Sequence, residues 1–161
     1  MAQVDYFLKL KGIEGESTDS KHKNEISVES WSWGETQSGT HSFGGGGGAG
    51  KVQMQDFHFV MRHNKASPKL FLACATGEHI PEALLTCRKA GGEQEEFLIV
   101  TMSDVLVSSY QTGGSAGDVI PTDQISINFS KIQFKYGLQD EKGKVTNPVL
   151  AGYNLKENKK L

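Results

Sequence analysis

The amino-acid sequence predicts a mainly β chain whose antiparallel strands bend into a barrel, accompanied by one short α-helix. Apolar residues recur at every second position through most of the chain, which is the period of a half-buried strand. In three segments the apolar parity flips once, as bulges or barrel corners require. One further segment carries both the start and the stop signals of a helix.

The first two strand segments show the alternation and one reversal of it. The opening stretch VDYFLKL alternates apolar side chains before a glycine ends it. In EISVESWSWG, Ile26 and Val28 share one face whereas Trp31 and Trp33 lie on the other. We therefore expect a bulge or corner between the two pairs, and we expect both tryptophans to be buried.

The segment SPKLFLACATG predicts the one helix. Ser67 is suited to the N-cap, Pro68 to the first turn and Gly77 to the C-terminal stop, around a single apolar face.

The rest of the chain returns to strands. LLTCRKAGGEQEEFLIV predicts a hairpin that turns at Gly91 and Gly92. A second parity flip separates the apolar positions of 125–129 from those of 132–136, and the DEKGK turn leads to a last strand that begins near Val145. Many antiparallel strands with such flips predict a bent barrel.

Length and charge limit the class of function. The 161 residues are consistent with one domain, 1–161, that buries about two thirds of the surface of its unfolded chain. Its 17 basic and 19 acidic residues leave a formal net charge of −2, so bulk charge does not favour nucleic acid. The terminal lysines, Lys156, Lys159 and Lys160, lack interleaved aromatics, and we expect no nucleic-acid partner.

The N-terminal residues MAQVDYFLKLKG lack the basic start and the continuous apolar stretch that a signal peptide would show, and no later stretch approaches a membrane span. We expect synthesis in the cytoplasm and no membrane insertion. In that reducing compartment Cys74 and Cys87 are expected to be free, buried thiols.

The glycine run matches a phosphate-binding motif only in part. Gly45, Gly50 and Lys51 have the spacing of G-x-x-x-x-G-K, but Val52 replaces the Ser or Thr that binds magnesium. The following residues alternate as a strand, so no helix N-terminus faces a phosphate. The five glycines at 44–48 also give maximal backbone freedom. We predict a mobile hairpin loop and no nucleotide cofactor.

Catalytic and metal-binding patterns are weak. His58 and His63 are five residues apart on a predicted strand, face opposite sides and cannot share a metal ion. Cys74 and His79 lack a third orienting group, so packing explains them better than catalysis. We predict that the protein is not an enzyme and holds no metal or other cofactor.

Taken together, these segments make the chain resemble the hemolysin-coregulated protein (Hcp) family, which forms the tube of bacterial type VI secretion systems. The similarity runs end to end, and the motifs are specific in combination. They are EISVESWSWG at 25–34, GGGGGAGKVQMQDF at 44–57, SPKLFLACATG at 67–77, LTCRKAGGE at 85–93 and DVLVSSYQTGGS at 104–115.

The resemblance implies a compact antiparallel β-barrel of two sheets with one flanking short helix. It also implies homohexameric rings that stack into a hollow tube, carry or chaperone small effector proteins in the lumen, and contact the spike protein and contractile sheath. Such a tube assembles in the bacterial cytoplasm and is expelled from the cell or into target cells without a cleaved signal peptide, in virulence or bacterial competition.

Strand parity and the resemblance together indicate the residues of interest. Ser32, opposite the tryptophans, and Ser115, in the TGGSAG loop, are candidates for the lumen wall that binds effectors. The candidate ring-interface or rim loops comprise Gly44, Gly45, Gly46, Gly47, Gly48, Lys51, Gly91 and Gly92.

Two positions depart from the family pattern. Asn64 stands where the family generally has Asp before the helix; it carries no charge but can form an Asx turn. Asp123 replaces a common Glu and has a shorter reach.

Two alternatives remain open from the residues. A monomeric β-sandwich module that binds a carbohydrate or small ligand could use the tryptophans as a stacking platform. A nucleotide-dependent enzyme is the other, although the glycine run lacks its helix and its Ser or Thr.

Overall fold

The structure is a computed structural model that describes residues 4–39, 49–90, 94–142 and 144–161. It is mainly antiparallel β-sheet with one short helix, which confirms the predicted fold class. In chain order the elements are β1 (Val4–Leu10), β2 (Ile26–Val28), β3 (Ser30–Ser32), β4 (Glu35–Gly39), β5 (Ala49–Met54), β6 (Phe57–Arg62), α1 (Ser67–Thr76), β7 (His79–Lys89), β8 (Glu96–Gly113), β9 (Thr122–Asn128), β10 (Lys131–Gln139), β11 (Val145–Asn154) and β12 (Lys159–Lys160).

The strands form two layers that share β8. The first layer has the order β12-β11-β10-β8-β7-β1-β2, and the second has the order β3-β6-β9-β8. The β4–β5 hairpin forms a separate two-stranded sheet. β2 and β3 are separated only by Glu29, so the chain itself connects the two layers at that corner. The ladders among the described strands do not form one closed barrel.

The shared strand β8 bends at Asp104. Residues 98–103 pair with β10, whereas residues 106–113 pair with β9 in the other layer. Asp104 has a φ of 55°, a left-handed conformation that an ordinary strand residue avoids. Its carboxylate accepts hydrogen bonds from Lys156 Nζ at 2.7 Å and pairs with His79 Nδ1 at 2.9 Å. These two contacts, that of Lys156 first, lower the pKa of Asp104 to about 2.

The chain crosses between layers at two of the three places where the apolar parity flips. At Glu29 it leaves β2 in the first layer and enters β3 in the second, and the Glu29 amide donates to the Val60 carbonyl at 2.8 Å. At residues 129–130 it passes from β9 to β10, where the Ser130 amide donates to the Ser103 carbonyl. The corners predicted from the sequence are confirmed.

The two layers bury one hydrophobic cluster, but the tryptophans lie at its margin. Phe57, Phe59 and Ile125 are fully buried, whereas Trp31 and Trp33 are only half-buried. The expectation that both would be buried was therefore too strong. They lie on β3 and just after it, at the edge of the second layer, and pack against the margin of the core.

Helix α1 ends as predicted and begins one residue earlier than predicted. Gly77 has a φ of 71° and closes the helix, because its backbone amide donates a hydrogen bond to the Ala73 carbonyl. Ala66, not Ser67, occupies the N-cap, because the Ser67 hydroxyl is used elsewhere. Asn64 forms the expected Asx turn, since its Oδ1 accepts from the Ala66 amide at 2.8 Å.

Among the described residues, no helix combines the length and apolar character needed to cross a membrane.

Asp123 joins α1 to the second layer from a fully buried position on β9. Its carboxylate accepts hydrogen bonds from Ser67 Oγ at 2.5 Å, Thr112 Oγ1 at 2.6 Å and Tyr110 Oη at 3.1 Å, and pairs with His63 Nδ1 at 3.1 Å. Burial raises the pKa of Asp123, but these hydrogen bonds outweigh burial and lower the pKa overall. The shorter side chain therefore reaches four partners.

A buried arginine fixes the long loop after β1. Arg88 donates to Asp19 Oδ2 at 2.7 Å and to Asp5 Oδ2 at 3.1 Å, and its guanidinium lies 4.8 Å from the Phe7 ring centre. The guanidinium holds the pKa of Asp19 well below its usual range.

Cys74 and Cys87 are both free thiols, as predicted. Cys87 is buried, whereas Cys74 is only half-buried. Burial raises the pKa of the Cys87 thiol to about 12, so this group is an unreactive part of the core.

Replacing Asp123 with Ala should lower the free energy of unfolding by about 3 kcal/mol, because the buried hydroxyls of Ser67 and Tyr110 lose a charged acceptor. Asp56→Ala is the control, since the half-buried Asp56 accepts from Ser108 and Asn128 among the described residues, and both of these contacts are exposed; its cost should stay near 1 kcal/mol. Urea denaturation at pH 7 measures both, and equal costs would contradict the assigned role.

The stabilisation by Asp123 should also depend on pH. A carboxylate whose pKa is lowered by folding stabilises the protein above its unfolded pKa of about 3.9 and loses this effect as the pH falls. The difference in unfolding free energy between the wild type and Asp123→Ala should therefore be full at pH 7 and shrink below about pH 4. A difference that grows on acidification would show that folding does not lower the pKa of Asp123.

Candidate functional site

The second layer has one apolar face and one polar face. On β6 and β9 the residues that point to the core are apolar, apart from Asp123, and those between them point outward. A continuous cross-strand row on the outward face consists of Ser32, His58, Ser126 and Ser109, in β3, β6, β9 and β8 respectively. We call this outward face, from β3 to β8, the polar face.

A bulge at Ser108 completes the polar face. The pairing of β8 with β9 shifts between Val107 and Ser109, so the parity of β8 reverses there. As a result Ser109 and Gln111 lie outward, beside Ser126 and Gln124, while Tyr110 and Thr112 turn inward to Asp123. One extra residue thus serves both faces of the layer.

Neutral hydrogen-bonding groups dominate the middle of the polar face. His58 Nδ1 lies 3.1 Å from Ser126 Oγ, which links two strands across the row. Charges lie at the ends: Arg62 Nε donates to Glu29 at 2.9 Å, and Asp56 accepts from Asn128 Nδ2 at 2.9 Å. Such a surface can form many short hydrogen bonds with a polar partner and presents little net charge.

Ser115 lies beside the polar face, at the edge opposite Ser32. It lines a shallow depression of about 380 Å³ together with Gln111 and Gln124, which both point outward from the polar face. Its hydroxyl accepts from the Gly117 amide at 3.2 Å and is otherwise exposed. The structure therefore brings both predicted serines to the same side of the second layer.

The candidate rim loops are only partly described. Gly44, Gly45, Gly46, Gly47 and Gly48 lie outside the described residues, as do Gly91 and Gly92. Lys51 is exposed on β5, which pairs with β4 as an antiparallel hairpin. A strand, not a helix, thus follows the glycine run, as the argument against a phosphate site predicted.

The two tryptophans do not share one open stacking platform for a sugar, because their rings pack against different partners. Trp31 stacks on Phe57 at 5.6 Å between ring centres and packs edge-on against Tyr6 at 6.3 Å. Trp33 packs against Phe134 at 5.4 Å, and its ring lines a groove next to the β4–β5 hairpin. These contacts weaken the alternative of a carbohydrate-binding module.

Sequence reasoning missed the outward residues that surround Ser32. His58, Ser126 and Gln124 form most of the polar face, and the alternation in TDQISIN already placed the last two on one side of a strand. The missing information was the strand order, which sets β6 and β9 next to β3.

Comparison with known proteins identifies the family to which the chain is similar. A model of the family described as "Type VI secretion system effector, Hcp" matches residues 7–136. Protein hcp1 of Pseudomonas aeruginosa is 50% identical over 157 residues, covering 96% of this chain and 97% of that protein.

Solved structures show the same fold. Hcp1 from Salmonella typhimurium is 36% identical with a TM-score of 0.82, and the match covers 99% of this chain and all of that one. A structure described as a type six secretion system protein is 32% identical with a TM-score of 0.92, and the match covers 99% of this chain and 100% of that chain.

The serines of the polar face should tolerate larger side chains. Ser32→Gln and Ser115→Gln should each change the free energy of unfolding by less than about 0.5 kcal/mol, because both side chains are exposed. Ser67→Gln, at a fully buried serine, should cost about 3 kcal/mol through overpacking and loss of its bond to Asp123. Urea denaturation compares the three, and a large loss for Ser32→Gln would place that residue in the packed interior.

Proposed function

Because the chain belongs to the Hcp family of type VI secretion system proteins, we propose that it is the repeating subunit of the secretion tube. In this proposal six copies close into a ring, and the rings stack into a hollow tube. The polar face forms the inner wall of each ring, and small effector proteins bind to it inside the lumen.

The polar face is the observation that supports this role most directly. Only one face of the second layer is needed for the core, yet the other face is also ordered, continuous and rich in short polar side chains. The outer strands of the layer, β3 and the second half of β8, each pair with one neighbour in the described residues. Neighbouring copies can therefore extend the layer sideways and enclose a common interior.

The chemistry of the wall suits transient binding of many partners. Hydroxyl and amide groups donate and accept hydrogen bonds without the strong attraction of a charged surface. A small effector would be held by many weak contacts repeated around the ring, and it would be released once the ring leaves the cell. The role requires no covalent chemistry.

The remaining partners follow from the same proposal. Tube subunits assemble in the bacterial cytoplasm, meet the spike protein at the tip and the contractile sheath on the outside, and are then expelled. Lys51 and the glycine-rich loops, Gly44 to Gly48 and Gly91 to Gly92, are proposed to lie at ring interfaces or rims.

The native mass tests the assembly. Light scattering or native mass spectrometry of the purified protein at micromolar concentration should show about six times the mass of the 17.6 kDa chain. A strictly monomeric protein under these conditions would overturn the proposal.

Effector binding tests the inner wall. Ser32→Gln and Ser115→Gln should preserve the ring but reduce co-purification of a cognate effector about tenfold, because the added bulk is repeated in every symmetric copy. Ser20→Gln is a matched control, since Ser20 is exposed in the loop before β2, outside the polar face. Undiminished effector on both wall variants would show that these serines do not contact it.

A further inference from the structure

The first layer carries an apolar surface that the second layer does not cover. Along β10, Ile132 is buried, Phe134 is half-buried, and Tyr136 and Leu138 on the same face are exposed. Val149 lies opposite Tyr136 on β11 and is 60% exposed. We call the surface of Tyr136, Leu138 and Val149 the wing.

A groove continues the wing toward the core. It has a volume of about 620 Å³ and lies between the β4–β5 hairpin and the β10–β11 pair, where Trp33, Met54, Phe134 and Tyr153 contribute apolar walls. Phe134 pairs with Ala151 two residues before Tyr136 pairs with Val149, so groove and wing form one surface.

Helix α1 carries the second uncovered apolar surface. Leu70 and Ala73 are fully buried, while Phe71 and Leu72 are 58% and 56% exposed. Phe71 packs against Tyr110, in the second half of β8, at 6.4 Å between ring centres. We call the pair Phe71 and Leu72 the helix ridge.

These two surfaces lie at opposite edges of the second layer. That layer runs in the order β3-β6-β9-β8. The groove begins at Trp33, just beyond β3, and the helix ridge contacts β8. A ring closes only through contacts between two different surfaces on opposite sides of one subunit, and this is the arrangement observed.

The helix ridge and the groove are also complementary in charge and shape. Lys69 is exposed three residues before Leu72, which places it on the same side of the helix as the ridge. Glu35 is exposed and lines the groove. The helix ridge therefore has a basic side chain beside it, and the apolar groove has an acidic one. If the two surfaces belong to neighbouring copies, these opposite charges favour one orientation of the contact.

We propose that the helix ridge of one copy docks on the wing and groove of the next copy, with Lys69 facing Glu35 across the contact. This inference rests on the proposed ring and assigns the contact that closes it. The contact covers Phe71, Leu72, Tyr136, Leu138 and Val149, which an isolated copy leaves exposed.

Lysine substitutions test the two surfaces. Leu72→Lys and Val149→Lys should each weaken ring formation at least tenfold in sedimentation or native mass measurements, because each buries a charge in an apolar contact. Leu150→Lys is the matched control: Leu150 is the next residue on β11, is 55% exposed and points to the opposite face. It should leave the ring intact.

Cross-linking tests the pairing itself and does not depend on weakened assembly. A chain with Leu72→Cys, Val149→Cys and Cys74→Ser, treated with a short thiol cross-linker, should give a covalent ladder that reaches six copies. Each single-cysteine version should give no ladder, and neither should Leu72→Cys combined with Leu150→Cys. Dimers from Leu72→Cys alone would indicate a symmetric contact and overturn the pairing.

Exchanging the charges of Lys69 and Glu35 tests whether these two residues face each other in the ring. Lys69→Glu and Glu35→Lys should each weaken the ring several-fold, whereas both changes in one chain should restore it, since the two residues meet on different copies. If the native protein is a ring but all these variants assemble normally and no ladder forms, the docking inference is wrong and the proposed tube stands. A native monomer would overturn both.

Discussion

The architecture depends on one strand that belongs to both layers. β8 pairs with β7 and β10 in its first half and with β9 in its second, so its bend sets the angle between the layers. The left-handed backbone of Asp104 lies at that bend, and its carboxylate contacts His79 of β7 and Lys156 of the loop after β11. Because His79 and Lys156 are exposed and Asp104 is only half-buried, these groups contribute through the geometry that they hold and not through the burial of charge.

Buried charge is used instead at two other junctions. Asp123 collects donors from the loop after β6, from α1 and from β8, and Arg88 collects acceptors from β1 and from the loop that follows it. A buried charge is costly unless hydrogen bonds replace its lost water, so each of these groups requires its partners to be present together. Both junctions therefore give the elements around the core a single arrangement.

The division of the second layer into two faces links the fold to the proposed function. Period-two alternation on β6 and β9 supplies apolar side chains to the core and short polar ones to the other side. The bulge at Ser108 lets β8 supply Tyr110 and Thr112 to Asp123, and Gln111 to the polar face. A change in register of β9 would exchange the two faces, so stability and the presentation of the proposed wall are coupled.

Local sequence determined the element types, the helix stop at Gly77, the two corners and the strand that follows the glycine run. Each of these follows from interactions within a few residues: alternation or a left-handed glycine. Family motifs added the Hcp assignment, because several specific segments occurred in one chain in the right order. Tertiary structure alone decided which strands are neighbours, and with them the row from Ser32 to Ser109, the four partners of Asp123 and the half-burial of Trp31. Those features join residues that are 11 to 68 positions apart, and no local period specifies which strand, hydroxyl or ring lies alongside.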